Sequence, residues 1–208
     1  MRGAVQESLH VFLQAGLDFR IGRGAKTIDI LEMGFGTGLN ALLTAIAAAE
    51  RFVPVHYTTL ERYPLSASEA GMLNYPQLLG HENWFQQLHA SPWEEDIRVN
   101  EHFVLHKAHT GLLDYTPQKF FDVIYYDAFA PSAQPELWTQ PVFHKLYDCL
   151  HPGGILVTYC SKGDVRRAMA AAGFTVGKLP GPPGKREMVR AEKGGRTEEQ
   201  VSKEQMKY

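Results

Sequence analysis

Only two cysteines occur in the 208 residues, Cys149 and Cys160. They are too few to frame a disulfide scaffold, and neither belongs to a Cys-x-x-Cys pair, so reduced thiols are expected. Long apolar runs are missing as well. The best stretch, Leu39 to Ala49, is far short of a bilayer span and is interrupted by Asn40 and Thr44; no signal peptide is evident. A cytoplasmic protein with no membrane partner is therefore expected. Charge of one sign is not in excess either: a net charge of -2 at pH 7 argues against a bulk electrostatic binder of nucleic acid, while leaving room for a local basic patch. Metal-ligand patterns are also lacking. His102, His106 and His109 lie close together, but the segment reads as a strand entering a loop. It has no carboxylate between His102 and His106, and the chain has no His-Glu-x-x-His motif and no cysteine cluster. No metal is expected.

Against these absences stands one informative run, Thr27-Ile-Asp-Ile-Leu-Glu-Met-Gly-Phe-Gly-Thr-Gly-Leu-Asn40. An apolar strand ends in an acid and a glycine-rich turn, which opens into a helix. Gly34, Gly36 and Gly38 allow backbone conformations that a Cβ opposes and let a ligand approach the main chain. The first turn of the helix directs unpaired amides at the loop. A dinucleotide fingerprint needs its third glycine where Leu39 stands, and no Gly-Lys-Ser/Thr closes a Walker loop. What remains is the acid-Gly-x-Gly-x-Gly pattern typical of enzymes that use S-adenosylmethionine (SAM). In that pattern Glu32, Gly34, Phe35, Gly36, Thr37, Gly38 and Asn40 form the cofactor-binding turn, with Glu32 and the loop facing the methionine end. A second apolar run, Val55-His-Tyr-Thr-Thr-Leu-Glu61, ends in a carboxylate about one βαβ unit further on, where an acid accepts hydrogen bonds from ribose hydroxyls.

Strand-like and helical patterns alternate along the chain, which argues for a mainly parallel sheet. The patterns place strands at 27–32, 55–61, 102–107, 121–127, 154–160, 174–178 and 186–191. Helices are expected at 38–50, 66–73, 135–150 and 162–172, with a helical or irregular stretch at 76–96. This is an α/β, doubly wound, Rossmann-like fold of seven strands, mostly parallel, with an antiparallel C-terminal hairpin strand. Pro180-Gly-Pro-Pro-Gly184 would connect that hairpin. One domain is expected over 1–191, followed by a polar tail over 192–208 that lacks the apolar content to fold.

A third acid ends the strand Phe121-Asp-Val-Ile-Tyr-Tyr-Asp127, ahead of an aromatic, proline-stiffened loop that contains Phe129 and Pro131. Ligands in such sheets lie outside the carboxyl ends of the strands, where Glu32, Glu61 and Asp127 all fall. Methyl transfer develops no oxyanion, so alignment of acceptor and donor dominates, worth ~7–11 kcal/mol. An amine acceptor must in addition lose a proton, and Asp127 is the candidate to bind the ammonium and receive it. One of Tyr125 and Tyr126 is expected to line the site, since strand side chains alternate. Phe129 is the candidate to stack an RNA base, whereas Trp138 reads as a core residue. The segment from Lys162 to Arg190 is locally basic, with seven Lys and Arg against Asp164 and Glu187; solvated helix faces explain such a count equally well.

Several pieces together resemble the tRNA 5-(aminomethyl)-2-thiouridine methyltransferase family, which comprises the methyltransferase half of MnmC and stand-alone MnmD. They are Gly3-Ala-Val-Gln-Glu-Ser-Leu-His-Val-Phe12, Glu32-Met-Gly-Phe-Gly-Thr-Gly-Leu-Asn40, Glu61-Arg-Tyr-Pro-Leu65, Asp127-Ala-Phe-Ala-Pro131, Gln134-Pro-Glu-Leu-Trp-Thr139 and Gly184-Lys-Arg-Glu-Met188. The resemblance implies SAM-dependent methylation of the aminomethyl amine on the wobble uridine in the tRNA anticodon loop. It implies Asp127 as the catalytic aspartate, which also borders the cofactor, and Gly34 to Gly38 with Glu61 as SAM contacts. Lys185 and Arg186 belong to a family signature suited to RNA phosphates. Family members carry a Tyr-His-Ser motif ahead of the Gly-Ala-Val-Gln-Glu-Ser stretch, so an N-terminal truncation is expected. Lys107-Ala-His-Thr-Gly111 lacks the acid that many SAM enzymes offer to adenine. The family's bifunctional members add a flavin oxidase domain, for which there is no room here; a separate enzyme is expected to supply the aminomethyluridine. Two other readings of the same residues stay open: methylation of a small amine, and a non-catalytic RNA-binding or assembly module.

Overall fold

The structure, a computed structural model, describes residues 2–194. The rest of the polar tail expected from Glu192, residues 195–208, lies outside the described residues. Eight strands form one sheet: β1 (Ile28–Met33), β2 (Val55–Leu60), β3 (Asp96–Asn100), β4 (Phe103–Ala108), β5 (Phe121–Tyr126), β6 (Leu150–Thr158), β7 (Thr175–Pro180) and β8 (Glu187–Glu192). Their order is β3-β4-β2-β1-β5-β6-β8-β7. Strands β4, β2, β1, β5 and β6 run parallel. Strand β8 inserts antiparallel between β6 and β7, as the expected C-terminal hairpin requires. The count is eight rather than seven because β3 forms an antiparallel pair with β4. This short edge strand alternates too weakly, with only Val99 buried, to stand out from a stretch read as helical or irregular.

Central strand β5 shows why a parallel sheet reads as a continuous apolar run. Phe121, Val123, Ile124, Tyr125 and Tyr126 are all fully buried because helices cover both faces. On one face lie the N-terminal helical segment and α3 (Leu39–Arg51), packing Val11, Phe12 and Leu42 against Tyr57 and Tyr125. On the other lie α7 (Gln140–Asp148) and α8 (Gly163–Ala171), packing Phe143 and Met169 against Ile124 and Tyr126. The helix expected over 135–150 splits: Pro135–Trp138 is a 3₁₀ turn and α7 starts at Gln140. Between β2 and β3 stand three short helices, α4 (Ala67–Gly71), α5 (Tyr75–Leu79) and α6 (Glu82–Ala90). A capping box of Ser66 with Glu69 starts α4.

The sequence pattern assigns no element to the N-terminal region, which is helical from Arg2 to Gly22. Helix α1 (Arg2–Ser8) passes into wide π turns over Leu9–Asp18 and then into α2 (Phe19–Gly22). Such turns are rare and favour functional positions. Gly16 lets this segment lie directly on the sheet: a Cβ there would stand 3.1 Å from the Tyr125 ring and 3.3 Å from Val157. Arg20 then ties it down, donating to the Gly153 carbonyl at 2.9 Å and pairing with Asp122 at 3.2 Å. At the other terminus, β8 reaches one residue beyond its expected end, and Lys193 continues the ladder through two backbone bonds with Gly153 and Gly154. No helix among the described residues is long and apolar enough to cross a membrane.

Candidate functional site

The glycine turn connects β1 to α3 at the carboxyl edge of the sheet. Gly34, Gly36 and Gly38 have φ of +88°, +52° and +73°, in the left-handed region that L side chains resist. Gly38 is the residue from which α3 starts. The turn bends around a cavity of about 450 Å³ whose walls include Gly34, Phe35, Gly36, Thr37, Asn40, Glu61, Asp127 and Phe129. Most of the residues expected at the cofactor therefore converge, although they come from the ends of β1, β2 and β5 and are separated by up to 93 positions in sequence.

Glu61 joins two of these strand ends. One carboxylate oxygen accepts from the Gly36 amide at 3.0 Å and the other from the Tyr63 amide at 2.7 Å. It thus fixes the turn while its remaining lone pairs stay open to hydroxyl donors. Asp127 accepts from the Asn40 side-chain amide at 3.0 Å and is exposed toward the cavity. Its pKa is pushed up to about 6, mainly by the surrounding protein, with Glu7 adding to the rise and Asn40 and Lys185 opposing it. Water in the open cavity moderates that push, which grows when a ligand displaces the water. Asn40 is itself buried, and its Oδ1 has no protein partner. A buried acceptor left this way calls for a donor, and the Glu32 carboxyl, which stands beside Asn40, supplies one when protonated.

Glu32, expected at the cofactor, is not on the cavity wall. It is 1 % exposed and stands behind the cavity wall, accepting from the Thr59 hydroxyl at 2.7 Å, because side-chain alternation along β1 turns it into the sheet interior. Burial pushes its pKa up to about 8, opposed by Thr59 and reinforced by Asp127, so the carboxyl carries a proton at neutral pH. The folded state thus holds a proton that the unfolded chain releases above about 4.5. Stability is gained below that value and lost as pH rises toward 8. Glu32→Gln removes this dependence: its Tm is expected to match wild type near pH 5 and to exceed it near pH 8.5. Thermal unfolding across that range is the check.

Of the four expected substrate contacts, Phe129 is 73 % exposed at the cavity rim and Lys185 also lines the cavity. Pro131, half-buried, and Arg186, exposed, are not on its wall. Neither tyrosine lines the site. Tyr125 packs on Phe12 and Tyr57, while Tyr126 donates to the Leu137 carbonyl. Trp138 is buried and donates from Nε1 to the Phe129 carbonyl at 2.8 Å, holding the loop from beneath. The basic C-terminal stretch is partly committed elsewhere, since Lys178 pairs with Glu187 at 2.8 Å and Arg190 stacks 3.5 Å from the Phe19 ring centre. The three clustered histidines go to separate contacts: His102 with Phe52, His106 with Asp96, His109 with Trp93.

Residues missed in the sequence close the cavity from the N-terminal side. Ala4, Glu7, Ser8 and Phe12 line it from one helical face, and Tyr159 from the end of β6. Their spacing of three and four was a legible helical signal, but the π turns below Ser8 broke its period. Glu7 pairs with Lys185 across the opening, and the Lys185 ammonium lies 4.5 Å from the Tyr159 ring centre.

Comparison with known proteins agrees with this geometry. The family described as S-adenosyl-L-methionine-dependent methyltransferase matches residues 77–194, more than half of the chain. A bifunctional protein MnmC of Chromobacterium violaceum, named for tRNA 5-methylaminomethyl-2-thiouridine biosynthesis, is 33% identical over 199 residues. That match covers 88% of this chain but 30% of the relative, so the chain spans about a third of its length. The crystal structure of MNMC2 from Aquifex aeolicus superposes with a TM-score of 0.74 at 26% identity, covering 98% of this chain and 67% of that one. SAM-bound CalS10 of Micromonospora echinaspora, an amino pentose methyltransferase, shares the fold at a TM-score of 0.52 and 13% identity, over 86% and 88% of the two chains. Family match, strand order and glycine cradle agree: the chain belongs to the S-adenosyl-L-methionine-dependent methyltransferases.

Proposed function

We propose that the chain methylates the primary amine of 5-aminomethyl-(2-thio)uridine at the wobble position of tRNA, in the cytoplasm. The carrying observation is the Asp127 carboxylate, set on a cavity wall between the glycine turn and the exposed ring of Phe129. The likeness to the methyltransferase part of MnmC supports the choice of acceptor.

Bound SAM supplies the electrophilic methyl group. The residues around it fit: an open glycine turn for the amino-acid end, and Glu61 for ribose hydroxyls. The acceptor enters as an ammonium, which Asp127 binds as the counter-charge. With a pKa of about 6, Asp127 is ionised at neutral pH and close enough to that pH to take the proton the amine must lose. Phe129 offers an aromatic face for a base splayed out of the anticodon loop, and Asn40 keeps the carboxylate in place. Lys185 and Arg186, with exposed Lys162 and Arg167, supply cations for backbone phosphates.

Incubation with isotopically labelled SAM and bulk tRNA lacking the modification, followed by nucleoside analysis, is the direct test. Label is expected in 5-methylaminomethyl-(2-thio)uridine. Label absent from tRNA but transferred to free alkylamines would reject the acceptor. Binding through phosphates should weaken steeply with salt, whereas a small amine shows a shallow dependence.

A further inference from the structure

Behind the glycine turn, two groups remain that neither line the cavity nor belong to the apolar core. Lys107, at the end of β4, is 1 % exposed. No carboxylate pairs with it among the described residues. A buried ammonium is costly unless something specific receives it. Its Nζ donates to the backbone carbonyl of His89 at 3.0 Å, and it lies 4.7 Å from the Trp93 ring centre and 5.5 Å from that of Phe35. Burial lowers its pKa to about 8. The second group is His89 on α6. Its Nε2 donates to the Thr37 carbonyl at 3.0 Å, 52 positions away in sequence. Its ring packs 5.1 Å from Phe35 and 4.6 Å from Phe85.

These contacts converge on one peptide plane. The Thr37 carbonyl is held by His89, and the Gly38 amide of the same plane donates to the Phe35 carbonyl at 2.9 Å. A peptide is planar, so hydrogen bonds at both of its ends restrain the whole unit against rotation. Gly38 is pressed from the same side: a Cβ there would lie 3.0 Å from His89 Nε2 and 3.1 Å from Phe35. Phe35 and Thr37 line the cavity, so whatever holds this plane holds the cofactor cradle.

We propose that His89 and Lys107 form a two-step brace that preorganises the glycine turn for SAM: Lys107 holds α6 through the His89 carbonyl, and His89 holds the turn through the Thr37 carbonyl. Both are positioning residues that touch neither donor nor acceptor. The brace acts on binding: without it the turn samples other shapes, and only the competent fraction takes up SAM. Chemistry at Asp127 proceeds at its usual rate once the site is filled. The proposal rests on the cavity being the SAM site.

Titration calorimetry with SAM, together with steady-state kinetics on the methyl acceptor, tests the brace in the full chain. His89→Ala is expected to raise the Kd and KM for SAM about tenfold, the loss of one buried hydrogen bond with its partner left unpaired. Its kcat at saturating SAM should stay within about twofold of wild type. His89→Gln places an amide donor where Nε2 stood and should recover most of the affinity; Lys107→Met should fall between the two. For wild type, nitrogen NMR of His89 should show the proton on Nε2, a reading that needs no variant to fold. A normal Kd in a folded His89→Ala, no rescue by Gln, or a proton resident on Nδ1 would overturn the brace. Failure of wild type itself to bind SAM would instead remove the site on which it rests.

Discussion

Asp127→Asn is expected to lower kcat by about 10²–10⁴-fold, the usual contribution of a positioned general base, with much less effect on SAM affinity. Asparagine preserves the shape and still accepts from Asn40, whose amide now reaches Asp127 at 3.0 Å, so the change isolates charge and basicity. The wild-type profile supplies a second readout. Because the pKa is raised to about 6 and the ionised form does the work, kcat/KM should fall as pH drops through that value and level off above it. In Asp127→Asn this limb should vanish. Retention of wild-type turnover by a folded variant would remove Asp127 from the proton transfer and leave alignment alone to explain the rate.

The second large effect is expected at Glu61. Glu61→Ala should raise the Kd for SAM roughly a hundredfold. The carboxylate holds the Gly36 and Tyr63 amides at 3.0 and 2.7 Å, and hydrogen bonds to a charged group are worth about 1.5–3 kcal/mol each. Its loss loosens the turn and removes the acceptors proposed for the ribose, and each 1.4 kcal/mol is about tenfold in affinity. Glu61→Gln retains one acceptor oxygen and should bind between the two. Calorimetry on all three proteins decides the matter, and an unchanged Kd for the alanine variant would move the ribose elsewhere. Comparison with His89→Ala tests whether the two residues act through the same turn, since their effects add only if their contacts are independent.

Amino-acid order by itself determined the alternation of strands and helices, the left-handed glycines between Met33 and Leu39, and the acids at the ends of β1, β2 and β5. These are local properties: side-chain period, φ preference and the end of an apolar run act within a few residues and need no distant partner. Glu32 shows where local reading stops. Its position near the end of β1 marks the motif, but whether it faces ligand or interior depends on the neighbouring strand that supplies Thr59. The tertiary structure alone decided that Glu7, Phe12 and Tyr159 close the cavity, that Tyr125 and Tyr126 both belong to the core, and that His89 and Lys107 stand behind the turn. These are contacts between segments far apart in the chain. Their geometry follows from the close packing of whole layers, to which any single stretch of sequence contributes only one face.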